Sequence, residues 1–280
     1  MNKEILIICR GGGDLATGIV HRLFRAGYQV LILETAEPAA IRRQVSFCEA
    51  VYEGTATVEG VTAERIYTAK KQAVEEVLQR GRIPLLVDPD GRSIEVLKPD
   101  VVVDAIIAKK NLGTYKEMAP LVIGIGPGFV AGKDVHLVVE SMRGHNLARI
   151  LETGSALANT GIPGNIGGYT KERVIHAVAE GYMKNIHQIG DVVQKGEEIA
   201  RIYEQMSPDG MFSGKSVSVE ATIPGVLRGL IREGYHFQKG FKIADIDPRE
   251  SELANCFTIS DKASSIGGSV LEAVCRYVNG

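Results

Sequence analysis

Gly190-Asp-Val-Val-Gln-Lys-Gly-Glu-Glu-Ile-Ala-Arg-Ile202 returns 44 residues later as Gly234-Tyr-His-Phe-Gln-Lys-Gly-Phe-Lys-Ile-Ala-Asp-Ile246. Extended upstream, Val174–Ile202 aligns without gaps on Ser218–Ile246, with nine identities that include Ala177/Ala221 and Gly181/Gly225. In each copy apolar residues alternate with polar ones and glycines interrupt the run, the pattern of short half-buried strands. One copy is too short to bury its own apolar face. The two are therefore expected to close on each other as a small β sandwich.

The repeat resembles the lipoyl/biotinyl-type barrel-sandwich hybrid, whose quasi-symmetric halves carry a Gly-Asp-x-Val-x-x-Gly turn such as Gly190–Gly196. In carriers of that fold a modified lysine sits on a tight hairpin between the halves. The connection here, Tyr203 to Val217, reads as too long for that hairpin, and its one lysine, Lys215, falls beside the second strand rather than at a tip. The resemblance implies the carrier fold without the carrier chemistry. No lipoyl or biotin is expected on Lys215.

At the other end of the chain, the strand Ile5–Cys9 runs into Arg10-Gly-Gly-Gly-Asp-Leu-Ala-Thr-Gly18, a helical pattern from Ile19 to Gly27, and a second strand from Gln29 that ends at Glu34. Strand, glycine loop, helix, strand and acid is the context a dinucleotide fingerprint requires. Gly11-x-Gly13-x-x-Ala16 satisfies G-x-G-x-x-G/A. Gly11 allows a tight turn, Gly13 admits a pyrophosphate, and Ala16 allows close helix–strand packing. Asp14 and Thr17 complete the loop, with helix N-capping a sufficient reason for the aspartate. Glu34, 21 residues past Gly13, is placed to accept from a ribose hydroxyl.

Further strands are expected at Glu64–Tyr67, Ile83–Val87 and Val101–Ala108, with a helix over Lys70–Arg80. Near-continuous Val/Ile runs of this kind suit parallel strands covered on both faces, whose ligands bind beyond the strands' carboxyl ends. Glu34, Asp88, Lys109, Lys110 and Asn111 fall at such ends. Three strand-and-turn stretches follow, containing Gly126-Pro-Gly128, Glu140-x-x-Arg143-x-His145 and Asn159–Gly164. Turn chemistry accounts for much of this glycine and proline. An acid, a guanidinium and an imidazole within six residues could also transfer a proton or hold an anion, so Glu140, Arg143 and His145 are the candidate catalytic residues. A salt-bridged turn is the plainer reading of the same three. Ser260–Val278 reads as a helix with Asp261 at its N-cap and Ile266, Val270, Val274 and Val278 on its apolar face.

Composition narrows the function classes. A net charge of −2 with both signs dispersed gives no electrostatic footprint for nucleic acid or for an anionic membrane. The apolar run at the N-terminus is too short for a signal peptide or a span, which points to a cytoplasmic protein. The four cysteines lack C-x-x-C spacing and the six histidines show no H-x-x-x-H, so no metal site is expected.

Five motifs in order carry a second resemblance: G-G-G-D-L-A-T-G at Gly11–Gly18, D-A-x-x-A-K-K-N at Asp104–Asn111, G-P-G-F-x-A-G at Gly126–Gly132, V-E-S-x-R-G-H at Val139–His145 and N-T-G-I-P-G at Asn159–Gly164. Together with the repeat, they make the whole chain resemble the accessory proteins of selenium-dependent molybdenum hydroxylases (YqeB-type). The resemblance implies a process, maturation of such a hydroxylase, and no particular reaction. The organisation expected is a Rossmann-like nucleotide-binding domain over residues 1–118, a glycine-rich connector over 119–168, a lipoyl-like barrel-sandwich domain over 169–250 and a C-terminal helix over 251–280. The candidate cofactor-binding residues are Gly11, Gly12, Gly13, Asp14, Ala16, Thr17, Glu34, Lys109, Lys110, Asn111, Gly126 and Gly128. Their ligand is expected to be a nucleotide or the phosphate end of a molybdopterin. Partners implied are the hydroxylase apoenzyme or other maturation proteins, with self-association open. An NAD(P)-dependent oxidoreductase, or an interaction module with an empty loop, are the alternatives.

Overall fold

In the computed structural model residues 5–158, 161 and 164–280 are described. Of the N-T-G-I-P-G stretch, Asn159, Thr160, Ile162 and Pro163 lie outside them. The chain forms two compact units. Met1–Pro38, Val45–Thr160 and Ile259–Gly280 make the first, and Ala39–Gln44 with Gly161–Thr258 the second.

The first unit is built on β1 (Leu6–Arg10), α1 (Asp14–Arg25), β2 (Gln29–Glu34), α2 (Ala50–Glu53), β3 (Thr55–Val58), β4 (Val61–Ile66), α3 (Lys71–Gln79), β5 (Ile83–Val87), α4 (Arg92–Leu97), β6 (Val101–Asp104), β7 (Leu121–Ile125), β8 (Leu137–Val139) and β9 (Ile150–Leu151). These strands form one sheet in the order β3-β4-β5-β2-β1-β6-β7-β8-β9. The seven inner strands are parallel, whereas β3 and β9 run antiparallel at the two edges. Alternate residues of the central strands serve opposite cores. Ile7, Cys9, Val101 and Val103 enter one, and Ile8 and Val102 enter the other. Covering both faces is what the unbroken apolar runs require. The last helix, α5 (Asp261–Asn279), packs on α1 in the first of these cores through Ile266, Val270 and Val274. Its backbone comes so close that a Cβ on Gly18 would lie 2.7 Å from Ala263, and one on Gly267 2.6 Å from the Gly18 carbonyl.

The Rossmann-like parallel sheet expected from the sequence does not form. A mixed sheet takes its place, and the edges explain why. Glu59 and Gly60 both have positive φ (45° and 78°). A two-residue turn of that type joins only antiparallel neighbours. At the far edge the chain folds back from β8 to β9, held by Glu140 N–H on the Arg149 carbonyl and Ala148 N–H on the Glu140 carbonyl. α1 also begins at Asp14, five residues before the expected helix, and the α5 N-cap is Ser260 rather than Asp261.

The second unit comprises β10 (Val174–His176), β11 (Gly181–Asn185), β12 (Val192–Val193), β13 (Glu198–Met206), β14 (Phe212–Glu220), β15 (Gly225–Leu230), β16 (His236–Phe237) and β17 (Lys242–Asp247). They form two four-stranded antiparallel sheets, β10-β17-β15-β12 and β14-β13-β11-β16. The expected lipoyl-like barrel sandwich is corrected accordingly. Its presumed loop, 203–217, is mostly strand: β13 and β14 extend as a nine-residue ribbon closed by a tight turn at Ser207–Met211, and Lys215 lies within β14.

The 44-residue offset carries one sheet onto the other strand by strand, β10 onto β14, β11 onto β15, β12 onto β16 and β13 onto β17. Hydrogen bonds repeat with it. Ala177 N–H donates to the Phe241 carbonyl and Ala221 N–H to that of Glu197, while Gly240 and Gly196 N–H donate to the carbonyls of Ala177 and Ala221, all at 2.8 Å. Each sheet takes strands from both copies, so neither copy completes a sheet without the other. Gly181 (φ 153°) and Gly225 (φ 146°) are equivalent, and a Cβ on either would collide with the carbonyl oxygen of Tyr203 or of its counterpart Asp247. Gly181→Ala and Gly225→Ala should each destabilise the chain by about 3 kcal/mol or more, from forbidden φ plus overpacking. Calorimetric melting checks this, and a near-neutral result at one position only would break the equivalence.

Candidate functional site

Four loops meet at the carboxyl ends of β1, β6, β7 and β8. Strand order reverses between β1 and β6, since β2 lies on one side of β1 and β6 on the other. In open α/β sheets such a switch point is where ligands bind. Its floor is a buried network. Arg10 and Asp104 lie 3.6 Å apart with side chains 3% and 2% exposed. Arg10 also donates to the Thr114 hydroxyl and to the Pro89 carbonyl, and Thr114 donates to Asp104 at 2.5 Å. Burial pushes the Asp104 carboxyl up, and the Thr114 hydroxyl, the Ile106 amide and Arg10 offset that only in part.

Glycines let the loops interlock above this floor. A Cβ on Gly11 (φ 100°) would lie 2.9 Å from the Ala105 carbonyl, and one on Gly128 (φ 114°) 2.8 Å from Lys110 Cα. A Cβ on Gly126 would strike Ser141 Oγ, and one on Gly12 would lie 3.1 Å from the Cys48 amide. The segment after β6 is itself strained: Ile107 and Lys109 have φ of 60° and 62°. A β-branched residue there is an outlier, of a kind that concentrates at functional sites.

The structure disperses the predicted side chains unevenly. Ala16 is buried on the sheet, and Thr17 is structural, donating to the Gly12 carbonyl and accepting from Phe47 N–H. Asn111 shapes its own turn through Gly113 and Thr114. Lys109 and Lys110 are exposed beyond β6. Glu34 turns onto the loop itself, accepting from Gly12 N–H at 2.8 Å and Thr35 N–H at 2.7 Å. Glu140 is 3% exposed and accepts from the amides of Met142 and Leu157. Arg143 makes a bidentate pair with Asp261, at 2.7 and 2.9 Å, and His145 is exposed. Among the described residues no hydrogen bond links Glu140, Arg143 and His145 to one another.

Sequence reasoning missed Lys262. In the first turn of α5, it is half-buried, and burial lowers its pKa. Arg143 lowers it further, while Asp14, Glu140 and Asp261 act in the opposite direction. Charges on the glycine loop, the β8 loop and α5 thus act together on one ammonium. A helix face with no motif hid it, and only the Gly18–Ala263 and Gly18–Gly267 approaches bring it to the crest. Carboxylates also crowd the loop: burial raises the Cys48 thiol, and Glu34, Glu49 and Asp14 add to that. Among the described residues no group of three or more His, Cys, Asp or Glu is placed to hold a metal ion, and no helix is long and apolar enough to cross a membrane.

No protein-family model matches the chain. It is similar to the uncharacterized protein YqeB of Escherichia coli K12, 47% identical over 274 residues, covering 98% of this chain and 48% of that protein. The chain thus spans about half the length of the curated relative it matches. Distant structural neighbours are the ectoine utilization protein EutE (DoeB) of Ruegeria pomeroyi (11% identical, 87% of this chain and 85% of that one, TM-score 0.28); an aspartoacylase family protein of Mesorhizobium loti (11%, 88% and 85%, TM-score 0.30); and a succinylglutamate desuccinylase of Silicibacter sp. (12%, 88% and 85%, TM-score 0.26). Likeness this slight carries no argument about activity.

Burial is the largest influence on Glu34 and raises its pKa, with the Thr35 and Gly12 amides pulling it down. A carboxyl raised in the folded state contributes stability at low pH that is lost as pH rises through the folded value. Glu34→Gln should therefore gain in melting temperature relative to wild type on going from pH about 4 to pH about 7. A difference independent of pH would contradict the burial argument.

Proposed function

We propose that the chain is an accessory or maturation factor for a selenium-dependent molybdenum hydroxylase, acting in the cytoplasm on the apoenzyme or its maturation partners. Its glycine loop takes the phosphate end of a nucleotide or molybdopterin-type ligand. The process rests on the ordered motifs. The ligand rests on one observation at Gly13. This residue is the α1 N-cap, with φ −67° that any residue adopts and nothing within 4 Å of where a Cβ would sit. Gly11, Gly12, Gly126 and Gly128 are explained by neighbours in the chain, and Gly13 is not. A bare backbone at a helix start without a side-chain cap suits an external anion, because first-turn N–H groups lack intrahelical partners.

Cations stand within the same unit to balance a phosphate, with Lys109 and Lys110 after β6 and Lys262 at the start of α5. The oxidoreductase reading has less support, since Glu34 faces loop amides and Glu140 is occupied by two backbone donors.

A thermal-shift panel of NAD, ATP, CTP and a molybdopterin dinucleotide tests the ligand. One of them should stabilise the wild type, by about 2.7 kcal/mol at a hundredfold excess over Kd. Gly13→Val should abolish that shift while leaving the free protein folded, with a loss of about 1 kcal/mol from the poorer N-cap. No stabilisation by any of the four would remove the reading's support.

A further inference from the structure

The second unit buries cations that its own carboxylates do not fully engage. Arg173, just before β10, is 4% exposed, and among the described residues its Nε has no hydrogen-bond partner. Among the described residues its other nitrogens make long contacts, Nη1 at 3.3 Å from the Gly164 carbonyl and Nη2 at 3.5 Å from Asp245 Oδ1. Two more cations approach the same carboxylate from farther away, Arg228 at 3.8 Å and Lys242 at 4.0 Å. Charged groups that close on each other settle at about 2.7–2.9 Å. The adjacent pair does so, with Arg249 holding Asp247 at 2.9 and 3.0 Å. A buried guanidinium nitrogen left unpaired bears the desolvation cost with no return.

Charge and symmetry point the same way. Arg173, Arg228 and Lys242 carry three positive charges against the one negative charge of Asp245, leaving two unbalanced. Asp247 also feels Arg228, but two side-chain hydrogen bonds tie it to Arg249, and Arg42 adds a further cation that donates to the Asn255 and Thr258 carbonyls. The equivalent positions of the other sheet have no such surplus. There Arg201 and Glu198 replace Asp245 and Lys242 and pair at 2.9 Å, and Val217 stands where Arg173 does. The fold builds its other sheet without this cluster, so packing does not demand it.

We infer that Arg173, Arg228 and Lys242 form a binding site for the dianionic phosphate group of a small molecule, with Asp245 holding the three cations in position. A phosphate monoester brings a charge of about −1.5 to −2 and three acceptor oxygens, matching the surplus and the orphaned donor. Arg228 and Lys242, with side chains 17% and 42% exposed, give the site its opening to solvent.

Calorimetric titration of the full chain with inorganic phosphate, at constant ionic strength, tests the site. Wild type should bind saturably, and the component of binding that the cation variants lose should persist in Gly13→Val, which separates this site from the glycine loop. Arg228→Gln should weaken binding by about tenfold or more, the loss of one charge-assisted hydrogen bond. Lys242→Gln, at the most exposed position, should weaken it too, and decides the matter if Arg228→Gln does not fold. Asp245→Asn should tighten binding by removing the competing charge. Three results would overturn the inference: no saturable binding by wild type, binding lost in Gly13→Val but kept in the cation variants, or acetate binding as tightly as phosphate.

Discussion

The buried pair of Arg10 and Asp104 is the constraint on which the first unit's crest depends. Each residue is the last of its strand, β1 or β6, and each is followed at once by a loop of the candidate site. Burying two charges is costly, and removing one partner of such a pair typically costs about 3–5 kcal/mol. The chain offsets the cost with the Thr114 hydroxyl, the Pro89 carbonyl and the Ile106 amide. Those bonds also tie the end of β1 to two further loops, after β5 and after β6. The ion pair therefore stabilises little by itself, and instead sets where the loops after β1, β5 and β6 stand. Gly11 and Gly128 then let backbone pack on backbone above it, which leaves the left-handed Ile107 and Lys109 with no room to relax.

The second unit follows a different logic. Its two copies exchange strands, so the sheets exist only when both are folded. Reciprocal bonds at Ala177 and Ala221 and collision-free glycines at 181 and 225 hold the exchange in register. Once backbone symmetry secures the fold, side chains at equivalent positions are released to differ. His187, Asp191 and Glu197 form a polar cluster, with contacts of 3.2 Å from each ring nitrogen to a carboxylate, where the other copy places Ile231, Tyr235 and Phe241. The Arg173 cluster is a second such divergence.

Much of this is written in local sequence. β1, the glycine loop, β2, α3 and β5 follow from periodicity and turn residues, and the repeat follows from identity alone. What sequence reading missed is pairing across distance. Antiparallel edges depend on the Glu59-Gly60 turn and on Glu140 meeting Ala148 and Arg149, neither of which an apolar run reveals. The ribbon at 203–217 was hidden by Ser-Pro-Asp-Gly and Gly214, which read as loop although only the tip turns. Glu34 lies at the expected strand end, yet its carboxylate faces the Gly12 amide, because side-chain direction is a tertiary property. Lys262 carried no signal, since its place is set by how closely α5 packs on α1.

The central claim is that a phosphate-bearing ligand meets the crest at Gly13. Hydrogen-exchange mass spectrometry with the stabilising nucleotide or molybdopterin compound, against the free chain, addresses it directly. The account predicts slower exchange in peptides spanning Gly11–Thr17 and Ala105–Asn111, and loss of that protection in Gly13→Val. Protection confined to the repeat, or none anywhere at saturating ligand, would contradict it.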